Sequence, residues 1–166
     1  MPEADRPPTS VAAPPRSPCH VGIVTCDLGR AMDDLAGRFD VTWGKPSTVD
    51  HEYVTRDGRV RWPLHVVHSS GPIAFELLEG GPGTVWETTA LTRLHHYALW
   101  TTDLAGEVAA LEQKGWQLEL TVAGSDNGGP RGFAYVVRPG SARLELISRV
   151  AAGDGPSRGD GARRRA

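Results

Sequence analysis

This 166-residue chain contains one short pattern twice, and that repeat limits its fold more than any other feature. His20-Val21-Gly22 leads to Asp27-Leu28, and His96-Tyr97-Ala98 leads to Asp103-Leu104. In each unit a histidine opens an apolar run, a small residue follows two positions on, and an Asp-Leu pair follows seven positions on. Each unit then reaches a glutamate set among apolar residues: Phe75-Glu76-Leu77-Leu78 in the first, Leu144-Glu145-Leu146-Ile147 in the second. Such a chain reads as two similar modules, each a strand, a helix and further strands ending in a glutamate.

The local signals fill in these modules. His20 to Cys26 is rich in β-branched residues and predicts a strand. Asp27 can cap a helix carrying Leu28, Met32 and Leu35 on one face and stopping near Gly37. Ile73 to Glu79 predicts a strand between a Gly71-Pro72 turn and the GGPG stop at 80–83. Leu94 to Thr101 is the next strand, and Asp103 can cap a helix that presents Val108 and Leu111 and ends near Gly115. Gly132 to Arg138 and Arg143 to Ser148 predict a hairpin through Pro139-Gly140.

Strand geometry then sorts the side chains, because alternate residues point to opposite faces. His20 shares a face with Gly22 and Val24, and His96 shares one with Ala98 and Trp100. Glu76 lies opposite Phe75 and Leu77, and Glu145 lies opposite Leu144 and Leu146. Each histidine or glutamate therefore has an apolar back suited to lying under a helix. Its own face must meet water or an enclosed concavity. A carboxylate buried alone costs several kcal/mol, so it requires a partner charge or a metal. Two imidazoles and two carboxylates supply the mixed N and O donors that suit one divalent ion: Zn, Mn, Fe, Co or Ni.

Composition narrows the remaining classes. A formal net charge of −2 leaves no basic field for nucleic acid. No stretch approaches the roughly 20 apolar residues of a membrane span, and the first residues, with no apolar core after a basic end, do not read as a secretion signal. The two cysteines, Cys19 and Cys26, stand too far apart on one strand to bridge, and read as free thiols of a cytoplasmic protein. Residues 1–17 are rich in proline and residues 151–166 in Gly, Arg and Asp; both read as disordered tails. The folded part is 18–150.

Four stretches, HVGIVTCDL (20–28), IAFELLEG (73–80), LHHYALWTTDL (94–104) and RLELIS (143–148), resemble in order the glyoxalase, or vicinal oxygen chelate, superfamily. In motif style they are similar to methylmalonyl-CoA epimerase. The resemblance implies an α+β fold of two βαβββ modules, 18–80 and 94–150, forming a U-shaped mixed and antiparallel sheet around a metal cavity. It places the ligands on the first and last strand of each module, at His20, Glu76, His96 and Glu145. His96 takes the ligand place because it precedes Ala98 by two, as His20 precedes Gly22; His95 is left to face the helix side. The implied chemistry is an isomerase, epimerase or lyase acting on a small carbonyl-containing substrate. The ion stabilises an enolate or oxyanion, and Glu145 or Glu76 moves the proton.

Two other branches of the fold stay open. One is a metal-free binding protein of the bleomycin-resistance kind. The other is an Fe(II) ring-cleaving dioxygenase, for which Glu76 is a surplus ligand. Fold alone does not choose among them. The stretch 53–68 offers Arg59, Arg61, His65 and His68, where the epimerase carries an acidic base. Substrate contacts are expected from Trp100, Phe133 and Tyr135, and from Trp62 near the cavity mouth. Arg143, on the face of Glu145, either neutralises the carboxylates or meets an anionic group. The glycine-rich segment 124–132 reads as a flap over the cavity. Family members often pair, so a homodimer is expected.

Overall fold

Both Asp-Leu pairs start a helix. In a computed structural model describing residues 17–124 and 129–149, the Asp27 carboxylate accepts a hydrogen bond from Arg30 N–H at the start of α1 (Leu28–Phe39). Asp103 does the same for Gly106 at the start of α2 (Leu104–Glu112). The equivalence goes deeper, because the hydroxyls of Thr25 and Thr101 accept from the backbone N–H of Asp27 and Asp103, each at 3.0 Å. Two turns that repeat down to a hydroxyl show that the sequence repeat is a structural one.

The strands are β1 (Pro18–Val24), β2 (Thr42–Trp43), β3 (Ser47–Thr55), β4 (Gly58–Ser70), β5 (Phe75–Gly80), β6 (Arg93–Thr101), β7 (Gln117–Val122), β8 (Arg131–Val137) and β9 (Leu144–Ser148). One module is β1-α1-β3-β4-β5, with the two-residue β2 beside β4, and the other is β6-α2-β7-β8-β9. The long hairpin β3–β4, whose bounds the sequence left open, is highly charged along its outer face, and this hides its alternation. The sheet order is β2-β4-β3-β7-β8-β9-β6-β1-β5, with a further β4–β5 pairing. In each module the first and last strands run parallel, setting Gly22 beside Glu76 and Ala98 beside Glu145. The modules meet through antiparallel β1–β6, the floor of the expected U. The tips of its arms also join, through Tyr53–Val122 to Thr55–Leu120, so the sheet curls into a barrel.

The two faces of this sheet have different jobs. Outside, Ala31 and Leu35 of α1 pack on Ile23, Phe75 and Leu77, and Leu104, Val108 and Leu111 of α2 pack on Ala134, Val136 and Leu146. They include the apolar backs of β1, β5 and β9, which carry His20, Glu76 and Glu145; behind His96 on β6, Leu99 is partly buried against the α2 group and Tyr97 is exposed. Inside, Val24, Leu64, Val66, Leu78 and Leu120 pack with Tyr53, Trp86 and Tyr135. Burial of this kind stabilises by about 25 cal/mol per Å² of apolar area.

Among the described residues no helix is long and apolar enough to cross a membrane, and Cys19 and Cys26 are free thiols. Apart from Ser17, the expected tails at 1–17 and 151–166 lie outside the described residues, as does 125–128 of the expected flap.

Candidate metal centre

Local backbone irregularities aim the two histidines. Across β1–β6, Pro18 pairs with Leu99 and Val21 with Tyr97, so one extra residue is accommodated at Cys19–His20. Further along, Gly22 pairs with His96 but Ile23 with Leu94, leaving His95 as the extra residue on β6. Bulges of this type re-aim side chains and are frequent beside functional sites. Both ligand histidines thus stand at a bulge. The second bulge also corrects the expectation that His95 faces the helix side. It breaks the alternation and turns His95 inward, where its ring lies 5.3 Å from that of Tyr135.

His20, Glu76, His96 and Glu145 come together inside the barrel, each offering one ligand atom, all within 4.8 Å of one another. His20 Nε2 lies 3.1 Å from His96 Nε2, 3.3 Å from Glu76 Oε2 and 3.1 Å from Glu145 Oε2. His96 Nε2 lies 3.5 Å and 3.1 Å from the same two oxygens. The site is complete within one chain. Glu76 Oε2 and Glu145 Oε2 are buried and lie within ion-pair distance of the two imidazoles, yet neither makes a hydrogen bond. Buried acceptors left unpaired are expensive. Donor atoms 3.1–3.5 Å apart have the spacing of neighbours around an ion with bonds of about 2.0–2.2 Å. Charge agrees with geometry, since two buried carboxylates are neutralised by one divalent cation. The residues fit a metal.

Electrostatics report the same tension. Burial pushes the His20 imidazole down, but Glu145 and Glu76 outweigh it and raise its pKa to about 11. Burial works against a charge on Glu76 too, yet His20, His68 and His96 hold its carboxyl well below the usual carboxylate range.

Surrounding groups orient the four. His96 Nδ1 is 2.8 Å from His95 Nδ1, and His95 Nε2 is 3.0 Å from the Val85 carbonyl. A carbonyl only accepts, so the His95 proton sits on Nε2 and its Nδ1 accepts from His96 Nδ1–H. This hydrogen-bonded chain leaves the His96 Nε2 lone pair facing the centre, as when a metal-ligating imidazole donates its other ring N–H to a neighbouring acceptor. Burial, with Arg143 and His96 nearby, lowers His95 to about 3 and keeps it neutral. On the other side His68 Nε2 lies 3.1 Å from Glu76 Oε1, directly across β4–β5. The sequence offers His68 only alongside Arg59, Arg61 and His65 in 53–68, without a place at the cluster. Its signal was the alternation Leu64, Val66, His68, which becomes usable once the inward face of β4 is known.

Close packing positions the ring of His96. A Cβ on Gly22 would stand 2.0 Å from His96 Cε1. Gly22 is therefore small to make room for an imidazole, as well as for an ion.

A cavity of about 450 Å³ opens beside the cluster, with His20, Glu76 and Glu145 in its wall. Trp100, Phe133 and Tyr135 line it. Trp62 and Arg143 stand elsewhere. Trp62 packs partly buried against the interior cluster, 6.0 Å from Trp86. Arg143 forms a two-pronged pair with Glu119 at 2.6 and 2.8 Å. Tyr53, not selected from sequence, also lines the cavity, and its hydroxyl is buried with no partner. Burial raises it to about 12, so it stays protonated.

Comparison with known proteins gives one family. The sequence model of the Glyoxalase/Bleomycin resistance protein/Dioxygenase superfamily matches residues 19–136. Methylmalonyl-CoA epimerase from Mycobacterium tuberculosis is similar in fold, with a TM-score of 0.55 and 16% identity, over 81% of this chain and 88% of that one. A variant of 4-hydroxymandelate synthase from Streptomyces coelicolor gives 0.54 and 15%, over 83% of this chain and half (50%) of that one. A hypothetical protein from Bacillus halodurans gives 0.54 and 11%, over 85% and 99%. No curated protein sequence matches significantly.

Proposed function

The chain belongs to the Glyoxalase/Bleomycin resistance protein/Dioxygenase superfamily, and from that premise we propose that it is a cytoplasmic, metal-dependent isomerase, epimerase or lyase acting on a small carbonyl compound. The observation that carries this reading is the pair of buried, unpaired oxygens, Glu76 Oε2 and Glu145 Oε2, facing two imidazole nitrogens. His20, Glu76, His96 and Glu145 would hold the ion. A divalent ion in such a site supplies electrophilic stabilisation of negative charge developing on substrate oxygens.

The protein's own groups do the rest. The substrate enters the cavity beside the cluster, and the apolar wall excludes water from the reacting carbon. Glu145 or Glu76 takes the proton from the carbon next to the carbonyl. Glu76 has an exit route for it: His68, 3.1 Å from Glu76 Oε1 and mostly exposed, passes the proton to solvent. Glu145, deeper in the barrel, serves the opposite side of the cluster. The metal-free reading leaves two buried carboxylates to share the single charge of the His20 imidazole, and the dioxygenase reading has one carboxylate too many.

The test uses metal-loaded protein with a panel of small 2-oxo and 2-hydroxy carbonyl compounds in D2O, following loss of the α-proton by NMR. Exchange is expected for at least one compound, and Glu76→Gln and Glu145→Gln should each suppress it while retaining the fold. Full activity in both variants refutes the carboxylate as base.

A further inference from the structure

The 450 Å³ cavity has two unlike walls. Val49, Leu64, Val66 and Leu78 from the first module form an aliphatic one, and Phe133 and Trp100 from the second contribute aromatic rings. An engineered apolar cavity of roughly 150 Å³ already accepts benzene, so this one has room for a ring together with a short oxygenated head. Among the described residues the lining carries no arginine or lysine; its basic groups are the imidazoles of His20, His51 and His68. The neighbouring arginines are engaged elsewhere: Arg143 with Glu119, Arg61 with Asp50, Arg59 with Glu52, and Arg149 over the Trp100 ring at 5.4 Å. A phosphate-bearing carrier or a second carboxylate on the substrate would find no guanidinium or ammonium counter-charge inside. One polar atom of the wall is unsatisfied besides the carboxylates. The Tyr53 hydroxyl is fully buried, lacks a hydrogen-bond partner and belongs to a residue lining the cavity.

We propose that the substrate is a small aryl compound whose two adjacent oxygens meet the His20/Glu76/His96/Glu145 cluster, whose ring lies between the aliphatic and aromatic walls, and which offers one polar atom to Tyr53. The proposal rests on the metal-centre reading above and adds to it the chemical class of what binds. The selection is physical. Burying a phenyl ring removes apolar area from water, the aromatic wall favours offset or edge-on ring contacts, and an uncompensated charge in the same place is penalised.

The experiment uses the full chain loaded with Co²⁺ and two probes with identical oxygen pairs, benzohydroxamate and acetohydroxamate, titrated by visible absorption and calorimetry. Benzohydroxamate is expected to bind at least about tenfold more tightly. Val49→Phe, at a partly buried position of the aliphatic wall, should abolish that preference while leaving Co²⁺ binding in place. Among hydroxamates substituted on the ring with a polar group, at least one should bind more tightly than its unsubstituted parent, and Tyr53→Phe should remove that gain. Equal binding of the two parent probes by the Co²⁺-loaded protein overturns the proposal and leaves the metal centre intact. A preference that survives Val49→Phe, or tighter binding of acetyl-CoA than of benzohydroxamate, overturns it as well. Failure of the protein to bind Co²⁺ overturns the underlying reading instead.

Discussion

Replacing Gly22 with alanine tests the architecture of the site with a single methyl group. The added carbon would sit 2.0 Å from His96 Cε1 and 2.3 Å from both ring nitrogens. Non-bonded carbons rest about 3.5–4.0 Å apart, so the imidazole has to retreat by about 1.5 Å. It has nowhere to go: the side chain is fully buried, the Tyr135 ring stands 5.1 Å away and His95 is held at 2.8 Å. Overpacking of this kind costs about 1–3 kcal/mol, a fall of several degrees in Tm. The functional effect is larger, because metal bonds tolerate only about 0.2 Å. His96 is lost as a ligand. Affinity should fall by more than the roughly 10–100-fold that follows loss of an outer-shell partner. Co²⁺ titration with visible spectra reads both affinity and coordination, and thermal unfolding reads the packing cost. Wild-type affinity with an unchanged Co²⁺ spectrum would show that the ring does not lie over Gly22, and the assembly described here would be wrong.

Three further outcomes follow from the cluster and the groups around it. His95→Phe keeps the ring volume but removes the acceptor for His96 Nδ1–H, so metal affinity should drop about 10–100-fold with the fold retained; an unchanged affinity in calorimetry removes His95 from the positioning chain. With its pKa raised to about 11, His20 carries a proton at neutral pH in metal-stripped protein, so uptake of one ion at pH 8 should release about one proton, seen with an indicator dye in weak buffer. By linkage, the stability that His20 contributes to the stripped protein is fully present below its ordinary value near 6.5 and fades as pH rises through about 11. A Tm of the stripped protein that climbs across this alkaline range contradicts that assignment.

The repeat, the helix caps and the four residues of the cluster are readable in the sequence because each is a local signal. Asp27 and Asp103 cap within three residues of themselves, and the apolar neighbours of Glu76 and Glu145 mark a covered strand with an inward carboxylate. His95 was misplaced because alternation is a property of regular pairing, and a bulge is decided by the strand opposite. The inward positions of His68 and Tyr53 are hidden in the sequence because β3 and β4 carry charge along their exposed face, which blurs the period that identifies an inward position.

Arg143 shows the remaining boundary. Its residue type is suited to an anion, and it precedes the Glu145 strand, but the carboxylate it meets is Glu119 on β7, 24 positions earlier. Burial and pleat act along the chain, so residue order alone specifies two like modules, each presenting one histidine and one glutamate from largely apolar strands. That β1 and β6 lie side by side, that Gly22 yields its space to the His96 ring and that the cavity beyond is largely apolar emerge only on folding. Those depend on contacts between strands far apart in sequence, set by register across the barrel, which no local propensity encodes.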